Sequence, residues 1–162
     1  IQDALLIDST GAFRTEEDLS KHLKSNGISK VLLTAPGKGN LPNIVYGVNH
    51  TEFDPKKTDL FTAASCTTNA VVPVLKVVYE NFGISSGHIE TVHAFTNDQN
   101  LVDNFHKSSR RGRSAPMNMV ITETGAAKAA VKALPYLEGK LTANSVRVYT
   151  ERLPCYHAFE IG

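Results

Sequence analysis

The sequence predicts an α/β chain whose first part is a parallel sheet with crossover helices. Two short apolar runs, Ala4-Leu5-Leu6-Ile7 and Lys30-Val31-Leu32-Leu33-Thr34, flank a stretch with helix-start and helix-stop signals. Strand, helix and strand at that spacing require a crossover connection. Further on, Ala70, Val71, Val72, Val74, Leu75, Val77, Val78 and Phe82 form an apolar-periodic run. It reads as a buried helix closed by Gly83.

Taken in order, residues 4–7 read as a buried strand, ended by the turn Asp8-Ser9-Thr10-Gly11. Thr15-Glu16-Glu17-Asp18 is a helix start, with an N-cap threonine and acidic residues facing the helix dipole. Leu19 and Leu23 carry an amphipathic helix to Asn26-Gly27, a favourable stop. Residues 30–34 form the next strand, stopped by Ala35-Pro36-Gly37, and residues 44–48 are expected to form another. Leu60-Phe61-Thr62-Ala63-Ala64 then leads into Ser65-Cys66-Thr67-Thr68-Asn69 and the long helix. Ser65 suits its N-cap, because the hydroxyl can accept from a first-turn N–H. Residues 88–95 read as a strand, and residues 96–114 are polar and basic with no apolar period. Residues 118–122 resume a strand, 125–134 are helix-prone, and 141–148 are a further strand candidate. A domain boundary is expected near Phe61.

Composition excludes several function classes. The chain has 162 residues, 41% hydrophobic, with 17 basic against 16 acidic side chains and a net charge of +1. Such a balance gives no global pull toward nucleic acid or membrane. The basic stretch Ser108-Ser109-Arg110-Arg111-Gly112-Arg113-Ser114 has no interleaved aromatics and reads as a solvated loop. No apolar run is long enough for a transmembrane helix, and Ile1-Gln2-Asp3 lacks a signal peptide's basic start. The two cysteines, Cys66 and Cys155, form no metal-type pair. A reducing compartment is therefore the default, the cytoplasm first with a plastid also open. The chain opens without Met on an apolar strand and reads as a piece of a longer polypeptide.

Cys66 is the candidate nucleophile. A cysteine at a helix start is favoured as the thiolate by the dipole, an effect worth at most ~2 kcal/mol. A second positive group would strengthen it, and His93 is the candidate. The alternative is a small buried hydrophobe, but a core cysteine has no need of Ser65, Thr67, Thr68 and Asn69 around it. A papain-like protease carries a different local motif, and zinc-ligand spacing is lacking. The turns at Ser9-Thr10-Gly11 and Thr34-Ala35-Pro36 lie at strand C-termini, where such sheets bind ligands. From the residues alone, ordinary strand-ending turns are the favoured reading.

Ser65-Cys66-Thr67-Thr68-Asn69 followed by Thr91-Val92-His93 resembles the active-site signature of the phosphorylating glyceraldehyde-3-phosphate dehydrogenase family. Further stretches are similar in the same order: Ser9-Thr10-Gly11, Ala35-Pro36, Gly47-Val48-Asn49, Arg110-Arg111-Gly112-Arg113, Thr124-Gly125-Ala126-Ala127-Lys128 and Arg147-Val148. The resemblance implies a partial doubly wound (Rossmann-type) parallel sheet at 1–61, part of an α+β catalytic domain with a mixed sheet at 62–148, and a divergent tail at 149–162. It implies oxidation of glyceraldehyde 3-phosphate to 1,3-bisphosphoglycerate through a cysteine thioester, with NAD or NADP as hydride acceptor. Cys66 would be the nucleophile and His93 the base. Thr96 and Arg147 would hold the substrate phosphate, and Ser65, Thr124, Gly125 and Arg111 the attacking phosphate, with Thr67 in the same phosphate-binding set. Ser9, Thr10, Gly11 and Thr34 would line the cofactor. The resemblance further implies a homotetramer, with the 96–114 loop at a subunit interface.

The sequence departs from the family at its ends. The phosphate-binding glycines and the ribose acid are absent, and Arg147-Val148-Tyr149-Thr150 stands where the family has Arg-Val-Pro-Thr. Ala70 replaces the usual second cysteine. The fragment alone is expected to be inactive. Erythrose-4-phosphate dehydrogenase, and a truncated non-catalytic product with a redox-sensitive thiol, are the alternatives.

Overall fold

The computed structural model describes residues 1–122, 124–150 and 155–161, with Ser109 and 155–161 described by backbone alone. The architecture is α/β, with one parallel sheet and one mixed sheet. The chain divides into two compact units, residues 1–81 with 132–135, and residues 82–131 with 136–162.

The first unit is built on a three-stranded sheet: β1 (Ala4–Asp8), β2 (Ile28–Leu33) and β3 (Leu60–Thr62), in that order and all parallel. Helix α1 (Glu16–Leu23) makes the first crossover. Its start is the expected one. Thr15 Oγ1 accepts from the Asp18 N–H at 3.2 Å and donates to the Asp18 carboxylate at 2.8 Å, so each residue satisfies the other. Leu19 of α1 is fully buried against Val31, Leu33 and Leu41, with Leu6, Phe13, Leu23, Ile28, Ala35 and Leu60 packed around them. Burying each such aliphatic side chain contributes roughly 1.5–3 kcal/mol. Helix α2 (Cys66–Phe82) follows β3 and ends just before Gly83.

Three expectations are corrected here. Residues 44–48 form no strand. Asn43 makes a single bridge to Thr62, and residues 46–49 turn. The Asn49 side chain competes for the backbone: its Oδ1 accepts from the Val45 N–H at 2.8 Å, and its Nδ2 donates to the Asn43 carbonyl at 3.0 Å. Gly47, at φ +80°, supplies the left-handed residue this turn requires. Second, β1 is not buried on both faces. It is the edge strand, and Leu5 and Ile7 alternate outward with the pleat. Third, α2 is amphipathic rather than buried all round. Thr68, Val71, Val72 and Leu75 face inward, while Val74, Val77 and Phe82 are exposed.

The second unit holds a mixed sheet of four strands: β4 (Gly87–Ala94), β5 (Val120–Thr122), β6 (Leu141–Val148) and β7 (Cys155–Ile161). Their order is β5-β6-β4-β7. β4 and β6 are parallel, with His93 opposite Arg147 and Ala94 opposite Val148. β7 runs antiparallel to β4 with Cys155 opposite His93, and β5 antiparallel to β6. On β4, Ile89 and Thr91 are buried, and the two-residue period puts His93 on their face. The tail expected to diverge supplies β7; residues 151–154 and Gly162 lie outside the described residues.

The polar segment between β4 and β5 is an ordered loop. Asn104 N–H donates to the Gly112 carbonyl at 2.9 Å, and Ala115 N–H to that of Asn100 at 2.9 Å. Ser114 closes it, its N–H reaching the Asp103 carboxylate at 2.7 Å and its hydroxyl the Leu101 carbonyl at 2.8 Å. Leu101, Val102, Phe105, Met117 and Met119 are nonetheless exposed. Helix α3 (Ala126–Ala133) follows β5.

Candidate active site

Cys66 opens α2 and is exposed. The chain reaches it through a sharp turn. Ala64, which is buried, stands at φ +57°, a left-handed conformation that an L side chain adopts at a cost of order 1–3 kcal/mol. Neighbouring bonds hold the turn. Thr62 Oγ1 accepts from the Ala64 N–H at 3.2 Å. The Asn69 amide donates to the carbonyls of Ala63 at 2.7 Å and Ser65 at 2.8 Å, the residues on either side of Ala64. Ser65 caps the helix as expected: its Oγ accepts from the Thr68 N–H at 3.0 Å and lies 2.7 Å from the Thr68 hydroxyl. Thr67 sits half-buried in the first turn. The dipole of a helix this long favours negative charge at its start.

The candidate cofactor residues lie along the same sheet edge. Parallel strands end together, so Ser9 after β1, Thr34 after β2 and Ser65 after β3 all follow strand C-termini. Asp8 organises the first two turns. Its Oδ1 accepts from the Thr10 N–H at 2.9 Å and the Thr10 hydroxyl at 2.7 Å, and its Oδ2 lies 3.1 Å from His22 Nε2. Its carbonyl accepts from the Thr34 N–H at 2.9 Å and the Thr34 hydroxyl at 3.3 Å. The Thr10 hydroxyl, then the Thr10 N–H and His22, hold the Asp8 carboxyl below its ordinary value, while burial pushes the other way. Ser9, Thr10 and Thr34 are exposed, so the edge offers hydroxyls suited to the polar groups of a dinucleotide.

The second unit carries His93 and the anion candidates. Arg147 Nη1 lies 2.7 Å from His93 Nδ1 and donates to the Ala94 carbonyl at 3.1 Å. His93 Nδ1 is 2.6 Å from that same carbonyl. Thr96 follows β4 two residues on, exposed, its N–H donating to Gln99 Oε1 at 3.4 Å. Arg111 is engaged elsewhere, donating through Nε to Thr122 Oγ1 at 3.0 Å and pairing with Asp98 through Nη1. Thr124 Oγ1 accepts from the Ala126 N–H at 3.2 Å, and the carbonyl of exposed Gly125 accepts from Ala129. Both thus stand at the start of α3. Val120 is opposite Arg147 and Thr122 opposite Ser145, so β5 leads away from Arg147 before reaching Thr124. The structure therefore joins His93 to Arg147 and Arg111 to Thr122, as two groups on one sheet. Sequence reasoning gave no role to Asp8, Ala64 or Asn69. Their only signal was position, beside a strand end or inside the cysteine motif.

A sequence model described as the C-terminal domain of glyceraldehyde 3-phosphate dehydrogenase matches residues 65–157, more than half of the chain. The chain belongs to the glyceraldehyde-3-phosphate dehydrogenase family. Among curated relatives in this family, a glyceraldehyde-3-phosphate dehydrogenase-like protein of Pseudomonas aeruginosa strain UCBPP-PA14 is 64% identical over 150 residues, covering 93% of this chain and 32% of that protein. A glyceraldehyde-3-phosphate dehydrogenase of Haloarcula vallismortis is 51% identical over 143 residues, covering 87% and 42%. That of Geobacillus stearothermophilus is 46% identical over 146 residues, covering 90% and 43%. The chain thus spans less than half of the length of each of these relatives, from 32% to 43%. The match to the dehydrogenase C-terminal domain opens at Ser65, so it takes in the Cys66 helix as well as β4 and β6. Among the described residues no helix is long and apolar enough to cross a membrane, and no group of three or more His, Cys, Asp or Glu is placed to hold a metal ion.

Proposed function

We propose that the chain carries the cysteine chemistry of a phosphorylating aldehyde dehydrogenase that converts glyceraldehyde 3-phosphate to 1,3-bisphosphoglycerate. The observation that supports this most is the exposed Cys66 at the start of α2, on a strained turn clamped by Asn69. In this reading His93 takes the thiol proton, and the thiolate attacks the aldehyde carbon to form a thiohemiacetal. A nicotinamide dinucleotide, NAD or NADP, supplies the hydride acceptor when bound, against Ser9, Thr10, Gly11 and Thr34. Cys66 then holds the acyl group as a thioester. Inorganic phosphate attacks its carbonyl carbon, the C–S bond breaks, and the thiolate returns.

Arg147 and Thr96 would hold the substrate phosphate, since a guanidinium meets a phosphate as a bidentate fork. Ser65, Thr67, Thr124, Gly125 and Arg111 would serve the attacking phosphate, the glycine by its N–H at a helix start. We propose residues 1–61 as nucleotide-binding and 62–148 as catalytic sequence, with 149–162 as a divergent tail. The exposed Leu101, Val102 and Phe105 of the 96–114 loop suit a subunit interface in a homotetramer. Rapid-mixing kinetics of the protein carrying this chain test the reading. Cys66→Ser should abolish the burst of reduced cofactor, and His93→Asn should slow it by about 10²–10⁴. A full burst from Cys66→Ser would overturn it.

A further inference from the structure

Asparagine stands before glycine once in this sequence, at Asn26-Gly27. The pair lies between α1 and β2, just past the Lys24 C-cap, and Asn26 is exposed. Among the described residues, no hydrogen bond holds the Asn26 carboxamide or the Gly27 N–H. Asn49, Asn69 and Asn81, by contrast, each donate through the side-chain amide to a backbone carbonyl. Gly27 is at φ +88°, and a Cβ there would stand 2.1 Å from the Ile1 carbonyl oxygen, so the fold requires the glycine. Its carbonyl accepts from the Ala4 N–H at 2.8 Å, where β1 begins. The register of β1 on β2 already shifts between Ala4 and Leu5.

We propose that Asn26 is a site of spontaneous deamidation, and that its conversion to isoaspartate unfastens the start of β1 from the turn before β2. The Gly27 nitrogen attacks the side-chain carbonyl carbon of Asn26, with no Cβ on Gly27 to hinder the approach. A carbon–nitrogen bond forms, the bond to the side-chain nitrogen breaks, and ammonia leaves with the Gly27 proton. Water then opens the resulting succinimide ring at either carbonyl. Opening at the former side chain gives aspartate, and opening at the backbone carbonyl gives isoaspartate. Water is consumed and ammonia released, so no oxidant or reductant takes part. Either product sets a carboxylate beside the C-terminal end of α1, where the helix dipole disfavours negative charge. Isoaspartate also routes the main chain through the side chain, adding a carbon directly before the Gly27 carbonyl that holds Ala4.

The test ages the whole chain in buffers from mildly acidic to mildly alkaline and maps its peptides by mass spectrometry. Trypsin cuts after Lys24 and Lys30, so residues 25–30 leave as one peptide, and a digest at time zero corrects for conversion during work-up. That peptide should convert ahead of every other asparagine-bearing peptide, with isoaspartate among its products. Conversion should quicken as pH rises, because the attacking nitrogen must shed its proton. Asn26→Gln, which needs a larger ring, should stay intact. Hydrogen exchange of the aged protein should show lost protection at Ala4, while Asn26→Asp, which adds the charge without lengthening the chain, should keep it. An unconverted 25–30 peptide, or one overtaken by another asparagine peptide, would overturn the site. Full conversion to isoaspartate with Ala4 still protected would overturn the unfastening of β1.

Discussion

The side-chain amide of Asn69 holds the carbonyl of Ala63 at 2.7 Å, reaching back across the left-handed turn at Ala64. Its second bond, to Ser65, closes a clamp around one strained residue, two positions before the cysteine. Asn69→Ala removes both bonds at about 1 kcal/mol each. It should lower stability by about that sum in urea unfolding and slow alkylation of Cys66. Asn69→Asp keeps the size but sets a carboxylate against two carbonyl oxygens, and should do no better. Unchanged alkylation in both variants would remove Asn69 from any part in presenting the thiol.

Asp8 gives the fold an acid-sensitive contribution. Its carboxyl is held low, chiefly by the Thr10 hydroxyl, so the folded state binds its proton less readily than the unfolded chain does. That stabilisation is complete above the ordinary carboxylate value of about 3.9 and is lost as pH falls through the lower folded value. Thr10→Val should therefore cost about 1–2 kcal/mol at pH 7, and the difference should shrink in unfolding curves taken below about pH 3. An equal difference at both pH values would show that the hydroxyl acts through packing instead.

Gly112 is fixed by a close approach. A Cβ there would stand 2.5 Å from the Asn104 carbonyl oxygen, on the partner with which Gly112 shares a backbone bond. Gly112→Ala should cost about 1–3 kcal/mol and raise hydrogen exchange across residues 100–115, with little effect on β1 or β2.

Leu19 is fully buried in the cluster that joins α1 to the parallel sheet. Leu19→Ala should cost about 2–5 kcal/mol, with the loss read in urea unfolding.

Local chemistry was legible before the structure. The Thr15 cap, the Ser65 cap and the helix starting at Cys66 each follow from neighbours within three residues, so the text alone carries them. Residues 44–48 were misread because Ile, Val and Tyr favour strands, while the turn depends on Asn49 reaching back to Val45. The open face of β1 and the outward Val74, Val77 and Phe82 of α2 were illegible for another reason. An apolar residue states a preference for burial, not whether anything covers it. The contact of Arg147 with His93 depends on pairing between distant strands, and no local pattern encodes that register. The same holds for β7, whose partner lies more than sixty residues earlier in the chain.

The place of β4 inside its sheet bears on how His93 moves. β4 lies between β6 and β7, paired along its length on both sides, whereas β5 and β7 are the outer strands. An interior strand opens only after its neighbours have let go, so its amides belong to the slowest-exchanging part of a unit. His93 is thus anchored to backbone that stays put while the segments around it breathe. Arg147 stands on the adjoining strand, and Arg111 on the loop between β4 and β5, tied to β5 through Thr122. Movement of His93 is then side-chain rotation at the end of β4, with the strand itself as the stationary frame.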